Sequence, residues 1–307
     1  MADKSIEFAM NKSVHSDFLI HWTGYDIDNK FDQEWWNRKK PEMNKNIIEP
    51  YLKRLKYILK YGLWMNKEKD FIEFKNRKIK IPVVARTCFT ELKLSETWIH
   101  AQKFGRLGIG FKRMFVFNRL GFPMIYFRPE KENWLLPPYL YGKPDEEIRE
   151  YWACFLKSMD EESIPRQLLE YKQFDESEWR IIYSKEIEER LRSIGGYGFC
   201  RLFKKPYEIH DALFHDYVKE HDESKRLEYL IPLEDSESRR YSHWFAMIIY
   251  PSLAVKVASE ADEEIRNEIL RLKPKASEAD MKILCSSASY EQYSKPIEID
   301  LAACRHF

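Results

Sequence analysis

The sequence predicts an α+β fold, with a mixed and mostly antiparallel sheet and flanking helices. Three observations point there. Short runs of β-forming residues, such as DFLIHW at 17–22 and EWRIIY at 178–183, lie beside stretches whose apolar residues have helical spacing, such as Tyr51, Leu52, Leu55, Ile58 and Leu59. The two kinds do not alternate regularly, as a doubly wound parallel sheet requires. The dinucleotide fingerprint is also missing. Gly105, Gly108 and Gly110 fall between a predicted helix and a predicted strand, where that fingerprint needs a strand followed by a helix.

The elements follow in order. After a polar leader, residues 17–22 read as a strand, and 24–46 as polar and irregular with a Lys/Arg cluster at 38–40. Pro50 suits the first turn of the next helix and Gly62 its C-terminal cap. Ile79 and Ile81 lead into an apolar strand from Pro82 that ends at Cys88, Phe89 and Thr90. Ser95 is placed to cap a helix through Phe104, with Trp98 and Ala101 inward. Residues 108–117 and 122–128 read as two strands joined by a hairpin-like turn at 118–121. A long excursion, with Pro137-Pro138 in it, then precedes a helix over 145–157. The strand at 178–183 is followed by a charged helix to Ser193, ended by Gly195 and Gly196. Residues 219–243 read as a charged, solvated surface. Residues 244–257 are apolar, 260–272 form a helix with Ile265, Ile269 and Leu272 inward, and 283–285 and 297–301 read as closing strands. The expected organisation is a single α+β domain over 1–307, with an insertion at about 129–175.

Composition narrows the function classes. Lys and Arg total 51 against 50 acidic residues, so no global field draws the chain to nucleic acid or lipid. Five widely spaced cysteines without a CxxC fit reduced thiols better than a disulfide framework or a zinc site. With neither an N-terminal signal nor a membrane-length apolar run, the expected location is the cytoplasm. No P-loop, HExxH or GxSxG is present. His210, His215 and His221 miss the i, i+4 register of a helical metal site, so no metal is expected.

Two short patterns look like parts of a site. His21 and Thr23 are two apart on a strand, so they share a face and could grip a ribose hydroxyl and an amide from one side. A lone histidine is also an ordinary structural residue. Glu176 and Glu178 have the same spacing at the head of EWRIIY. Their plain reading is a solvated strand entrance with Glu178 paired to Arg180. Their functional reading is a carboxylate that polarises a sugar hydroxyl and stabilises positive charge at a glycosidic carbon. His100, on the helix after CFTEL, reads either as a ligand contact or as a packing residue.

An ordered series of landmarks then resembles the AbiGi family of abortive phage-resistance proteins, and a related bacterial family. It comprises FLIHWT from Phe18 to Thr23, ILKYGL from Ile58 to Leu63, Cys88-Phe89-Thr90-Glu91, His100, and Phe104-Gly105 with Gly108-Ile109-Gly110-Phe111. Pro123-Met124-Ile125-Tyr126, Glu178-Trp179-Arg180 and Pro251-Ser252-Leu253 complete it. The resemblance covers about 17–272 and implies an antitoxin-type role in phage defence, with a toxin or other defence-system protein as partner and a phage-derived trigger. A more distant similarity, to the ADP-ribosyltransferase fold, rests on His21 and Thr23, Ile58 to Leu63, Phe89-Thr90 and Glu176-Ser177-Glu178 in that order. It implies NAD as substrate. His21 would bond the adenosine-side ribose and Phe89 or Thr90 would flank the nicotinamide. Glu178 would hold the nicotinamide ribose and stabilise the transition state. Thr23, His100 and Arg180 complete the residues expected around NAD. Two readings therefore stand: an NAD-using enzyme with His21 and Glu178 catalytic, and an inactive binding protein of the same ancestry. Convergence of His21 and Glu178 on one open cleft would favour the enzyme. Nucleic acid remains an open choice of acceptor.

Overall fold

The computed structural model describes residues 18–31, 45–67, 69, 71–74, 77–91, 97–127, 150–158, 177–222, 226–234, 244–272 and 296–306. These form an α+β structure around an open, mostly antiparallel sheet of nine strands. Strand β1 (Phe18–Thr23) is followed by helix α1 (Tyr25–Phe31) and, after a 3-10 turn, by α2 (Ile48–Tyr61). Then come β2 (Leu63–Lys67), the ribbon β3 (Phe71–Phe74) and β4 (Arg77–Lys80), β5 (Ala85–Thr90), α3 (Thr97–Phe104) and β6 (Leu107–Lys112). Helix α4 (Arg113–Phe117), β7 (Gly121–Pro123), β8 (Ile125–Phe127), a 3-10 helix (Tyr151–Phe155), β9 (Leu156–Ser158) and β10 (Glu178–Tyr183) follow. The chain continues through α5 (Lys185–Ser193), α6 (Tyr197–Cys200), α7 (Ala212–His221), β11 (Leu227–Ile231), β12 (Phe245–Tyr250), α8 (Leu253–Ala261), α9 (Glu263–Arg271) and β13 (Ile297–Asp300).

The sheet order is β11-β2-β5-β1-β6-β12-β13, with β10 on β5 and β7 on β10. Only β12–β13 in this sheet is parallel. A strand has two hydrogen-bonding edges, and β10 takes one edge of β5 along its whole length, from Glu178↔Thr90 to Tyr183↔Ala85. The other edge is therefore divided. β1 pairs with it only at Ile20↔Thr90, and β2 only at Asn66↔Arg86 and Lys67↔Ala85. Between those points β1 and β2 diverge, and the sheet is split.

Alternation sends Leu19, Phe89, Ile109 and Ile181 to one face, which packs on the stripe of α2 (Tyr51, Leu55, Ile58 and Leu59) and on Val255, Ile265 and Ile269 of α8 and α9. Ile20, Trp22, Met247 and Ile249 point to the other face, where Ala101 of α3, Leu301 and Cys304 cover them.

The glycine cluster is structural. Gly105 ends α3 with φ +106, and a Cβ there would stand 2.3 Å from the Tyr25 nitrogen. Gly108 lies between Trp22, Ile20 and Ile249, each within 3.0–3.2 Å of where its Cβ would sit. Gly108→Val should therefore overfill this face and cost about 1–3 kcal/mol, read as a lower denaturation midpoint. An unchanged midpoint would mean that α3 and β12 yield freely.

Several expectations change. Residues 24–46 are not wholly irregular, because 25–31 form α1, anchored by a buried ion pair that sequence spacing does not reveal. The strand expected over 82–90 begins only at Ala85, in keeping with the missing N–H of Pro82. The strand expected over 108–117 stops at Lys112. Phe111 and Phe115, four apart, stack at 4.1 Å, which requires the helical turn of α4. The expected hairpin does not form, since β7 pairs with β10. Of the helix expected over 145–157, the described part is a 3-10 helix leading into β9, which lies parallel to β8. The charged segment 219–243 includes the end of α7 and β11, whose Leu230 and Ile231 are fully buried. Most of the expected insertion (128–149 and 159–176), Glu176 and the strand at 283–285 lie outside the described residues.

Candidate ligand-binding site

The split of the sheet opens a cleft of about 380 Å³ between the C-terminal end of β1, β2, α2 and α7. That size is within the range of small-molecule sites. His21 stands where β1 leaves β5. Its Nδ1 lies 3.0 Å from the Cys88 carbonyl. A carbonyl only accepts, so Nδ1 carries the proton and Nε2 is left as an acceptor. Burial lowers the His21 pKa below 6.5, and the nearby Arg54 charge lowers it further against the pull of the Cys88 carbonyl. The ring is thus neutral at pH 7.

Thr23 accepts from Arg54 Nη1 at 2.8 Å, and Arg54 Nη2 donates to Asp26 at 2.6 Å. The Arg54 pKa is raised. Burial opposes its charge, and Tyr217 and Asp26 more than offset that. Tyr57 and Tyr217 stack at 3.9 Å and 5° between planes, with Trp64 edge-on to Tyr217 at 5.5 Å. They form an aromatic wall of the cleft.

One buried donor in the cleft lining, Arg54 Nε, has no hydrogen-bond partner among the described residues. Leaving buried donors unpaired is costly, and such groups commonly mark a function. The carboxylates of the lining are already engaged. Asp26 pairs with Arg54, and Asp222 accepts from the backbone of Arg226 and Leu227.

The structure brings His21 and Thr23 to this cleft but not the other expected residues. Phe89 is buried in the core beside His21, with ring centroids 5.8 Å apart. Thr90 is directly opposite both Ile20 and Glu178, so these three share the other face. His21, next to Ile20, therefore points away from the face that carries Glu178, and β5 lies between their strands. The convergence expected of the pair does not occur, because the period-two alternation of the strands forbids it.

Glu178 is buried and doubly engaged. Arg180 Nε donates to it at 2.6 Å and Lys157 Nζ at 2.9 Å. Burial would raise its pKa, but the charges of Arg180 and Lys157 outweigh that and hold it well below the usual carboxylate range. Arg180 also donates to the Cys154 carbonyl. His100 is buried on α3, and burial, with the Lys103 charge, holds its pKa down at about 3. It serves as a neutral packing residue beside Phe104.

Sequence reasoning missed Arg54, Tyr57, Trp64 and Tyr217. A signal for Arg54 existed. It lies three residues after Tyr51 and four before Ile58, so it puts a charge on the apolar stripe of α2. The aromatic wall had no local signal, because Tyr217 comes from a helix more than 150 residues away in sequence.

No family model, curated protein or solved structure matches the chain. Among the described residues, no helix is long and apolar enough to cross a membrane, and no group of three His, Cys, Asp or Glu side chains is placed to hold a metal.

Proposed function

We propose that the protein binds a nucleotide of the NAD or ADP-ribose class in the split-sheet cleft and works as a binding protein that does not transfer ADP-ribose. The observation that carries this is the unpartnered buried donor Arg54 Nε, in a cleft lined also by a neutral His21 and the Tyr57–Tyr217 wall. A phosphate oxygen would accept from Arg54 Nε, Nε2 of His21 would accept from a ribose hydroxyl, and an aromatic wall suits a base. Breaking a glycosidic bond needs a carboxylate close to the carbon that becomes positive. The carboxylate assigned to that task, Glu178, lies across β5 on the other face, with its charge taken up by Arg180 and Lys157.

An ADP-ribosyltransferase-like fold is part of the proposal. It is supported by the order in which β1, the end of α2 running into β2, β5 and β10 carry His21, Ile58 to Leu63, Phe89-Thr90 and Glu178. The resemblance to the AbiGi family supports a place in phage defence, with a toxin or another defence protein as the regulated partner.

Calorimetry and thermal melts with NAD and ADP-ribose test this. Saturable binding with intact NAD is expected, and ligand at a hundred times its Kd should stabilise the fold by about 2.7 kcal/mol. Arg54→Gln should weaken binding about tenfold or more, the usual cost of losing a charge-assisted contact. Steady NAD consumption that is lost in Glu178→Gln would instead establish the enzyme.

A further inference from the structure

A second cavity, of about 520 Å³, lies at the far end of β10, under α5 and α6 and against β11, and no residue lines both it and the cleft. Its floor is aromatic. Tyr183 stacks on Phe203 at 3.9 Å and 13° between planes, with Tyr229 edge-on to Tyr183 at 4.9 Å. The Tyr183 hydroxyl is buried, near the Cys200 thiol and the Glu188 carboxylate.

The rim is cationic. Arg192 and Lys205 both pair with Glu188, at 2.8 Å and 3.2 Å, which neutralises that carboxylate. Glu208 turns back to accept from the Lys205 backbone. Arg201 and Lys204 are exposed on the same rim, and neither has an ion-pair partner among the described residues. Tyr197, also on the rim, is 56% exposed, with the Arg192 guanidinium 5.8 Å from its ring centre.

Two uncommitted cations beside an exposed aromatic ring match the chemistry of a phosphate joined to a base. Single-stranded nucleic-acid sites combine the same parts, a cation for the backbone and a ring on which a base stacks. An acidic peptide would use the cations but would leave Tyr197 without a stacking partner.

We propose that this second cavity binds a nucleotide, free or at the end of a single strand, with its base on Tyr197 and its phosphate on Arg201 and Lys204. This goes beyond the cleft described above, because it adds a separate site on different elements.

The test uses the full chain with fluorescein-labelled oligouridylate and oligodeoxythymidylate, followed by anisotropy, with AMP and UMP as unlabelled competitors. Saturable binding is expected. Arg201→Glu combined with Lys204→Glu should weaken it at least about tenfold and flatten the plot of log K against log salt by roughly 1.4, at about 0.7 per phosphate contact on a single strand. Tyr197→Ala should weaken it by about tenfold, as loss of a stacked base does. All three side chains are exposed, so the variants should melt with the wild type. Arg54→Gln should not alter oligonucleotide binding.

Displacement by mononucleotides would identify a free nucleotide as the ligand, and binding of the oligonucleotides alone would identify a strand end. Three results would each overturn the proposal. These are no saturable binding of any probe, affinity unchanged in both rim variants, and affinity lost through Arg54→Gln instead.

Discussion

Asp28→Ala is expected to destabilise the protein by about 3–5 kcal/mol, the usual cost of removing one member of a buried ion pair. Asp28 and Arg106 are both fully buried. Arg106 donates to Asp28 through Nε at 2.9 Å and Nη2 at 2.5 Å, and the Tyr51 hydroxyl donates to the same carboxylate at 2.7 Å. Removing the carboxylate takes away the anion that two guanidinium nitrogens of Arg106 bond, and the nearer of the two acceptors of Tyr51. At about 2–4 °C per kcal/mol for a chain of this size class, the melting temperature should fall by roughly 10 °C. The paired change Asp28→Leu with Arg106→Met should sit closer to wild type than either single change, because it leaves no buried charge behind. The network also holds α1 against α2, and Tyr51 bonds the Gly24 carbonyl at the cleft rim. Ligand affinity should therefore fall along with stability. Urea melts of Asp28→Ala, the paired variant and its two single changes decide the matter, and a loss below about 1 kcal/mol in Asp28→Ala would show that the pair does not anchor the fold.

Glu178→Gln is expected to cost stability and to leave the proposed binding of NAD in the cleft unchanged. From sequence alone this change looks neutral or even stabilising, since it removes one of two neighbouring carboxylates. In the structure it removes the counter-charge of two cations, Arg180 and Lys157, in a buried setting. The expected loss is about 2–4 kcal/mol, discounted because Lys157 is partly exposed. The pH dependence has a definite sign. The folded-state pKa of Glu178 is depressed below its ordinary 4.5. Its contribution is therefore fully present above that value and is lost as pH falls from there toward the folded-state pKa. Melting temperatures of wild type and Glu178→Gln should differ most near neutrality and converge on acidification. A constant gap across that range would show that the carboxylate's charge is not what matters.

Much of the fold was legible where local pattern and burial agree. The stripe of α2, the strand EWRIIY and the inward Ile265 and Ile269 of α9 all read correctly, because each has one face in the core and its period records that face. Reading failed where a distant partner chose the conformation. The stretch 113–117 is apolar enough for a strand, yet it turns helical to stack Phe115 on Phe111. Residues 25–31 lack a stripe and become helix α1, where Asp28 meets Arg106, 78 positions away.

The candidate site divides in the same way. The sequence by itself determined that His21 and Thr23 share a strand face, that Glu178 heads a strand, and that the chain mixes helices with a largely antiparallel sheet, because strand and helix periods are local properties of the chain. Only the tertiary structure decided how those strands pair. The single register point Ile20↔Thr90↔Glu178 puts His21 and Glu178 on opposite faces, and a shift of one residue would have put them on the same face. Register is fixed by the side chains that must be buried together, here Leu19, Phe89 and Trp179 against α2, and no short pattern around either residue contains that information.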